Sequence, residues 1–336
     1  ILQRPTSPAA MRSSPPNASR FGDPQLTDGV YLTLSAIMAL VTAPSLVLNA
    51  TVVIVTLRHK KLRQPLNIAL VNMAVADLGA ALTGGVLGVV YNAWPGHPPL
   101  GRTACVVEGF AVSVFGITSL CTVALIAMER MFVVCKPLGQ FNFQMKHAAV
   151  GVALSWLWSL GWNLPPLFGW GRYELEGVGT SCAPDWHSRD PSTVSYILCY
   201  LCLCFAMPFA LILASYGKLL WTLHQVSRKV CLEGGASARA EAKVARMVVL
   251  MVVCFLTGWL PYAGMAMVVV YSPDVHISPL VATLPVYLAK SSTLFNPLVY
   301  IFLNKQFRQY AVPFLLCGRQ PWVEEEDVSE TQTMVE

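Results

Sequence analysis

The sequence predicts an all-α membrane protein: a bundle of seven transmembrane helices, N-terminus outside, followed by a short amphipathic eighth helix on the cytoplasmic side. Three observations carry that expectation. The 336-residue chain is 55% apolar and 12% charged, with a mean hydropathy of +0.54, a balance foreign to soluble globular domains. Its charge-poor stretches are seven, Val30–Leu57, Leu66–Tyr91, Cys105–Met128, Ala148–Trp170, Val194–Gly217, Met247–Ser272 and Ile277–Leu303, each long enough to cross a hydrocarbon core of about 30 Å as a helix. The basic residues between them segregate: sixteen Lys and Arg fall in one set of connections and in the C-terminal tail, six in the other set and the N-terminal tail. Cytoplasmic loops retain positive charge, which fixes the orientation.

The expected organisation is an outer tail (1–29), the membrane bundle (30–303), the amphipathic helix (304–317) and a disordered cytoplasmic tail (318–336). The first 29 residues are polar and proline-rich with no apolar core, so the first span is expected to direct insertion. The net charge of +5 reflects the loop asymmetry; no basic, aromatic-interleaved stripe points to a nucleic-acid partner.

Taken in order, Asn17-Ala18-Ser19 is a glycosylation sequon on the outer tail, whereas the match at Asn49 lies mid-span, beyond reach of a glycosyltransferase. Asn49 and Asp77 are the outstanding polar groups of the first two spans. Such groups face the bundle interior: packing glue suffices for Asn49, while Asp77 points to an ion site or a switch hub. The third span carries Glu108 near its outer end and Glu129-Arg130 at its inner end, roughly 33 Å away at 1.5 Å per residue. Arg130 is an interface anchor or is locked by Glu241 at the start of the sixth span. By topology Cys105 and Cys182 lie on the oxidising outer side and are expected to be bonded, which would pull the Gly169–Pro191 connection, with Glu176, across the mouth of the bundle above Glu108. Cysteines lack any zinc spacing; Cys317, just past the amphipathic segment, is a palmitoylation candidate. Prolines 44, 165, 166, 208, 261, 285 and 297 fall within spans and predict hinges.

Lys290 is the residue the chain is organised around. No other Asp, Glu, Lys or Arg lies between Asp274 and Lys305, and an ammonium near the bilayer centre costs roughly 2.5–3.5 kcal/mol. It could pair with a carboxylate as structural glue or a proton relay. It could be a desolvated, nucleophilic amine that condenses with an aldehyde. Snorkelling is the weakest reading, because the interface is about 15 Å away.

Jointly, Asn49, Asp77, the Cys105–Cys182 pair, Glu129-Arg130, Trp259-x-Pro261 and Asn296-Pro297-x-x-Tyr300 resemble the rhodopsin-like G-protein-coupled receptors over about residues 30–320. Lys290, six residues before Asn296-Pro297, narrows the resemblance to the opsins, and Glu108, three residues after Cys105, matches the vertebrate-type counterion. Tyr173–Gly177, Ser181–Trp186 and Val312–Arg319 are similar to non-visual members. The resemblance implies 11-cis-retinal held at Lys290 as a Schiff base (all-trans after light), Glu108 and Glu176 as counterions, and Trp259, Tyr262, Phe255 and Gly116 around the chromophore. It places Glu129, Arg130, Glu241, Tyr216, Asn296, Pro297 and Tyr300 in the switch and Asn304, Lys305 and Gln306 at the G protein. It further implies a bistable, ultraviolet-sensitive pigment coupled to an inhibitory or transducin-type G protein, with arrestin and a receptor kinase meeting the tail and no enzymatic activity. Met131 departs from the usual aromatic after Glu-Arg and loosens the lock; Gly258 departs from the usual Cys before Trp259 and adds helix flexibility. A retinal photoisomerase, and a receptor for a diffusible ligand with Lys290 merely paired to Glu108, are the alternatives.

Overall fold

The structure, a computed structural model, describes residues 26–94, 101–135, 143–230, 236–272 and 274–319, with the side chains of 134, 223–230, 236–242, 244 and 245 left out. Asn17 and the acidic tail lie outside the described residues, as does the side chain of Glu241.

Helix α1 spans Asp28–Arg58. A single turn over Lys60–Leu62 leads to α2, Pro65–Ala93, whose proline occupies the first turn, where a missing N–H is harmless. Helix α3, Arg102–Cys135, runs through the middle of the bundle, so that Thr118, Ser119 and Thr122 are buried along it. Helix α4, Met145–Asn163, starts on a reciprocal cap between Gln144 and His147. Helix α5 consists of Pro191–Tyr200, a wide turn over Leu201–Ala206 and Met207–Val230; α6 is Ala236–Tyr271 and α7 is Pro279–Leu303. Six of the seven are apolar and long enough to cross a membrane by length and composition; α4, with 19 residues, measures about 28 Å. Apolar side chains such as Leu40 and Leu157 point outward, as a surface facing hydrocarbon requires.

One expectation is corrected. The fourth span does not reach Trp170: Pro165 and Pro166 cannot continue α4 and instead form a turn over Pro165–Phe168, closed by Gly169 at φ +96°. The connection between α4 and α5 carries a short hairpin. Tyr173–Glu176 (β1) and Ser181–Pro184 (β2) pair antiparallel, Leu175 opposite Cys182 and Glu176 opposite Ser181. Four-residue strands around a glycine-containing turn are too short to stand out beside spans six times their length.

Helix α8, Lys305–Leu315, follows α7 at once. The Asn304 side chain caps it, accepting from the backbone N–H of Gln306 and Phe307 at 3.1 and 3.3 Å. Phe307 is fully buried against Tyr300, so this helix is anchored to the base of the bundle.

The Cys105–Cys182 bond forms as expected, tying β2 to α3 across a sequence separation of 77. Removing a bond of this kind typically costs 2–5 kcal/mol. Cys105→Ser should therefore shorten the thermal lifetime of the purified receptor at least tenfold, followed as loss of its monodisperse peak with time at fixed temperature.

Candidate functional site: a buried lysine between two carboxylates

The hairpin forms the roof of the site. Lys290 projects from the middle of α7, its Nζ donating to Ser181 Oγ at 2.8 Å and to Glu108 Oε1 at 3.1 Å, with the Gly84 carbonyl at 3.4 Å. A Cβ at Gly84 would stand 2.6 Å from a Val112 methyl and in ordinary contact with the lysine at 3.5 Å, so glycine is what lets α2 lie this close to α3 beside the amine. Glu108 is fully buried, and its second oxygen accepts from the Cys182 backbone N–H at 2.7 Å. The disulfide thus sets the carboxylate as well as the roof.

Glu176 approaches from the other side of Ser181. The Ser181 hydroxyl lies 3.2 Å from an oxygen of each carboxylate, and Tyr262 donates to Glu176 Oε2 at 3.0 Å while accepting from Trp186 Nε1. Desolvation pushes the Glu176 carboxyl up to about 7; the Lys290 charge opposes that rise, the Glu108 charge adds to it, and the Tyr262 and Ser181 hydrogen bonds oppose it. A carboxyl raised in this way is neutral below that pH and ionised above it. An infrared carboxylic C=O band absent from Glu176→Gln should accordingly grow as pH falls from 8 to 6, with its midpoint near 7; a band unchanged over that range would contradict the assignment.

Below this polar cluster lies a cavity of about 870 Å³, overwhelmingly apolar, with Lys290 and Glu176 at one end. Phe115, Phe205, Tyr262 and Trp259 wall it. Trp259 is held by a hydrogen bond from its Nε1 to Ser292 Oγ at 3.0 Å and rests on Gly116, where a Cβ would come 2.8 Å from the indole. Phe255 is not on the wall: it stacks under Trp259, ring centroids 5.9 Å apart. Gly258 has a packing role that chain flexibility did not anticipate, since a Cβ there would meet Ser292 at 3.1 Å and the Leu288 carbonyl at 3.3 Å where α6 crosses α7.

Toward the cytoplasm, Asp77 accepts from Ser119 Oγ and Asn296 Nδ2, both at 3.0 Å, and Asn49 Nδ2 donates to the Thr293 carbonyl at 2.9 Å. These bonds join α1, α2, α3 and α7 around Asn296, which precedes Pro297 inside α7. Arg130 is buried and pairs with Glu129. The hydroxyls of Tyr216 and Tyr300 are buried without a hydrogen-bond partner among the described residues.

The chain that builds this cavity is similar to known proteins. The model of the "7 transmembrane receptor (rhodopsin family)" matches residues 48–300. The chain belongs to that family. It is 57% identical over 305 residues to parapinopsin of Ictalurus punctatus, covering 90% of this chain and 88% of the relative. Pinopsin of Columba livia is 44% identical over 297 residues, 88% and 84% of the two chains. The crystal structure of squid rhodopsin superposes with a TM-score of 0.79 over 93% of each chain, at 28% identity. The protein is therefore a parapinopsin-like opsin: an integral membrane, light-sensing receptor of the G-protein-coupled class, not an enzyme.

Sequence reasoning singled out Lys290, Glu108, Glu176, Trp259, Tyr262, Phe255 and Gly116 for this opsin's pocket; the structure places all of them in or directly around the cavity except Phe255, which packs against Trp259. It missed Ser181, which touches all three charged groups, as well as Phe115, Phe205 and Trp186. Ser181 had one signal, its place next to the cysteine expected to lock the roof.

Proposed function

We propose that this opsin binds 11-cis-retinal covalently through Lys290 and, on illumination, activates a heterotrimeric G protein of the inhibitory or transducin class. One observation supports this above the rest: the Lys290 amine closes an apolar cavity whose other walls carry no charge besides Glu176 and Asp77. The Lys290–Glu108 pair alone is equally what a receptor for a diffusible ligand would hold; a long apolar cavity ending in that amine fits a hydrocarbon aldehyde. Retinal supplies light absorption and a light-driven change of shape.

The residues supply the rest. Glu108 and Glu176 flank Ser181, so a proton at the nitrogen of Lys290 has two carboxylates to balance it; we assign Glu108 to the resting pigment and Glu176 to the photoproduct. An unprotonated nitrogen beside Glu108 in the dark absorbs in the ultraviolet, and a nitrogen protonated against Glu176 after light absorbs in the visible, so the exchange of partners is also an exchange of spectra. Trp259, wedged between Gly116 and Ser292, takes up a change in cavity shape, and Phe255 stacked beneath it and the Pro261 bend pass that change along α6. Release of Arg130, with Tyr216 and Tyr300 taking new partners, would open the cytoplasmic face to the G protein near Asn304, Lys305 and Gln306. Arrestin and a receptor kinase are assigned to the tail, a palmitoyl group to the exposed Cys317 and a glycan to Asn17.

The deciding experiment is nucleotide exchange on purified inhibitory and transducin-type G proteins by the retinal-loaded chain. Ultraviolet light should switch exchange on and visible light should switch it off. A pigment that cycles between two spectra without driving exchange on either protein would replace signalling with retinal photoisomerisation.

A further inference from the structure

Tyr262 has one proton to give, and its two neighbours decide where it goes. An indole N–H donates and cannot accept, so the contact from Trp186 Nε1 to the Tyr262 oxygen, at 3.1 Å, has one direction. That leaves the phenol hydrogen for Glu176 Oε2, at 3.0 Å. Both rings are buried and meet edge to face, centroids 6.1 Å apart. Trp186 is itself held in place, because the residue before it is clamped to Arg172 twice. The Asp185 backbone N–H donates to the Arg172 carbonyl at 3.0 Å, and its carboxylate accepts from Arg172 Nε at 2.9 Å.

The other oxygen of Glu176 has no such fixed donor. Ser181 lies 3.2 Å from Oε1, but the serine oxygen accepts from Lys290 Nζ at 2.8 Å, and its single hydrogen can serve either Glu176 or Glu108, also 3.2 Å away. One proton cannot satisfy two carboxylates. Tyr262 is therefore the unshared donor to Glu176, and Trp186 is what keeps it a donor.

We infer that Trp186 is a positioning residue for Glu176: acting through Tyr262, it commits Oε2 to a hydrogen bond and leaves Oε1, beside Ser181, as the oxygen that carries the proton when the carboxyl is neutral. Without the indole N–H, the Tyr262 oxygen would be free to accept from a protonated Oε2, and the direction would be lost. The titratable groups that face Glu176 are Glu108 on α3, Tyr262 on α6, and Lys290 and Tyr287 on α7. Among the described residues, only the Trp186–Tyr262 pair fixes which oxygen is engaged. That Glu176 balances the nitrogen of the photoproduct rests on the function proposed above; the direction of the hydrogen bond does not.

The test is an infrared titration of the Glu176 carboxylic C=O band, assigned by its loss in Glu176→Gln, in the full chain without retinal in lipid nanodiscs. Tyr262→Phe deletes the donor and should raise the midpoint by about one pH unit, a tenfold gain in proton affinity. Trp186→Phe should raise it by about half a unit, about threefold, because the ionised form loses a polarised donor and the neutral form gains a second place for its proton. With Tyr262→Phe already present, Trp186→Phe should change nothing further, since no phenol is left to direct. The benzothiophene analogue of tryptophan in place of Trp186 keeps the ring and removes only the N–H. It should reproduce Trp186→Phe, and it serves instead should that variant fail to accumulate. A midpoint unmoved by loss of the N–H, or moved equally in both backgrounds, overturns the assignment and leaves Trp186 a packing residue. Failure of the counterion role would show separately, as an unchanged photoproduct spectrum in Glu176→Gln, and would leave the titration result standing.

Discussion

The Lys290→Ala chain, incubated with 11-cis-retinal in the dark, should show only the absorbance of free retinal, and acid denaturation should release no protein-bound chromophore. The expected effect is complete, because among the cavity-lining groups Lys290 is the only amine and no neighbouring nucleophile can take its place. Alanine alone leaves Glu108 as a fully buried carboxylate without its ammonium, and breaking a buried pair from one side costs about 3–5 kcal/mol. Poor accumulation of that variant would therefore say nothing about chemistry. Two further chains separate the effects. Lys290→Arg keeps a permanent cation beside Glu108 but has no condensing amine, and Lys290→Ala with Glu108→Gln removes both charges. Both should fold and neither should form pigment. A normal spectrum from either would return Lys290 to a purely structural ion pair.

The sequence disclosed this site unevenly, for physical reasons. Membrane spans are legible because hydrocarbon imposes one composition over about 20 residues, and Lys290 was conspicuous because the same environment makes any charge expensive. The cysteine pair was legible from topology alone. The hairpin was not. Four-residue strands carry little pattern of their own, and the strands here are defined by what they cover, Glu108 behind Cys182 and Lys290 beneath Ser181. Ser181 is an ordinary serine in an outer loop until the disulfide brings it onto three charged groups. Phe255 went the other way: the family resemblance implied a place around the chromophore, yet its ring packs beneath the indole. Gly258 likewise looked like a soft spot and is a close crossing between α6 and α7.

The two carboxylates should separate cleanly when each is neutralised in turn. Glu108 is fixed on α3 and already engaged by the Cys182 N–H at 2.7 Å, whereas Glu176 rides on a turn tied to α7 through Thr283 and to α6 through Tyr262. Those are the helices that carry the lysine and the Trp259 wall, so a change of cavity shape moves Glu176 with the nitrogen and leaves Glu108 behind. Opposite charges about 4 Å apart at an effective dielectric of about 20 attract by about 4 kcal/mol, equivalent to about three pH units at 1.36 kcal/mol per unit. The pH at which the visible photoproduct band is lost should thus fall by about three units in Glu176→Gln, and by less than one unit in Glu108→Gln. The sign follows from charge: a carboxylate favours the protonated nitrogen, so its removal lets the proton leave at lower pH and returns absorption to the ultraviolet. Spectral titration of both illuminated variants decides the matter. A large fall confined to Glu108→Gln would move the photoproduct's counterion to α3 and leave Glu176 with no part in holding the visible form.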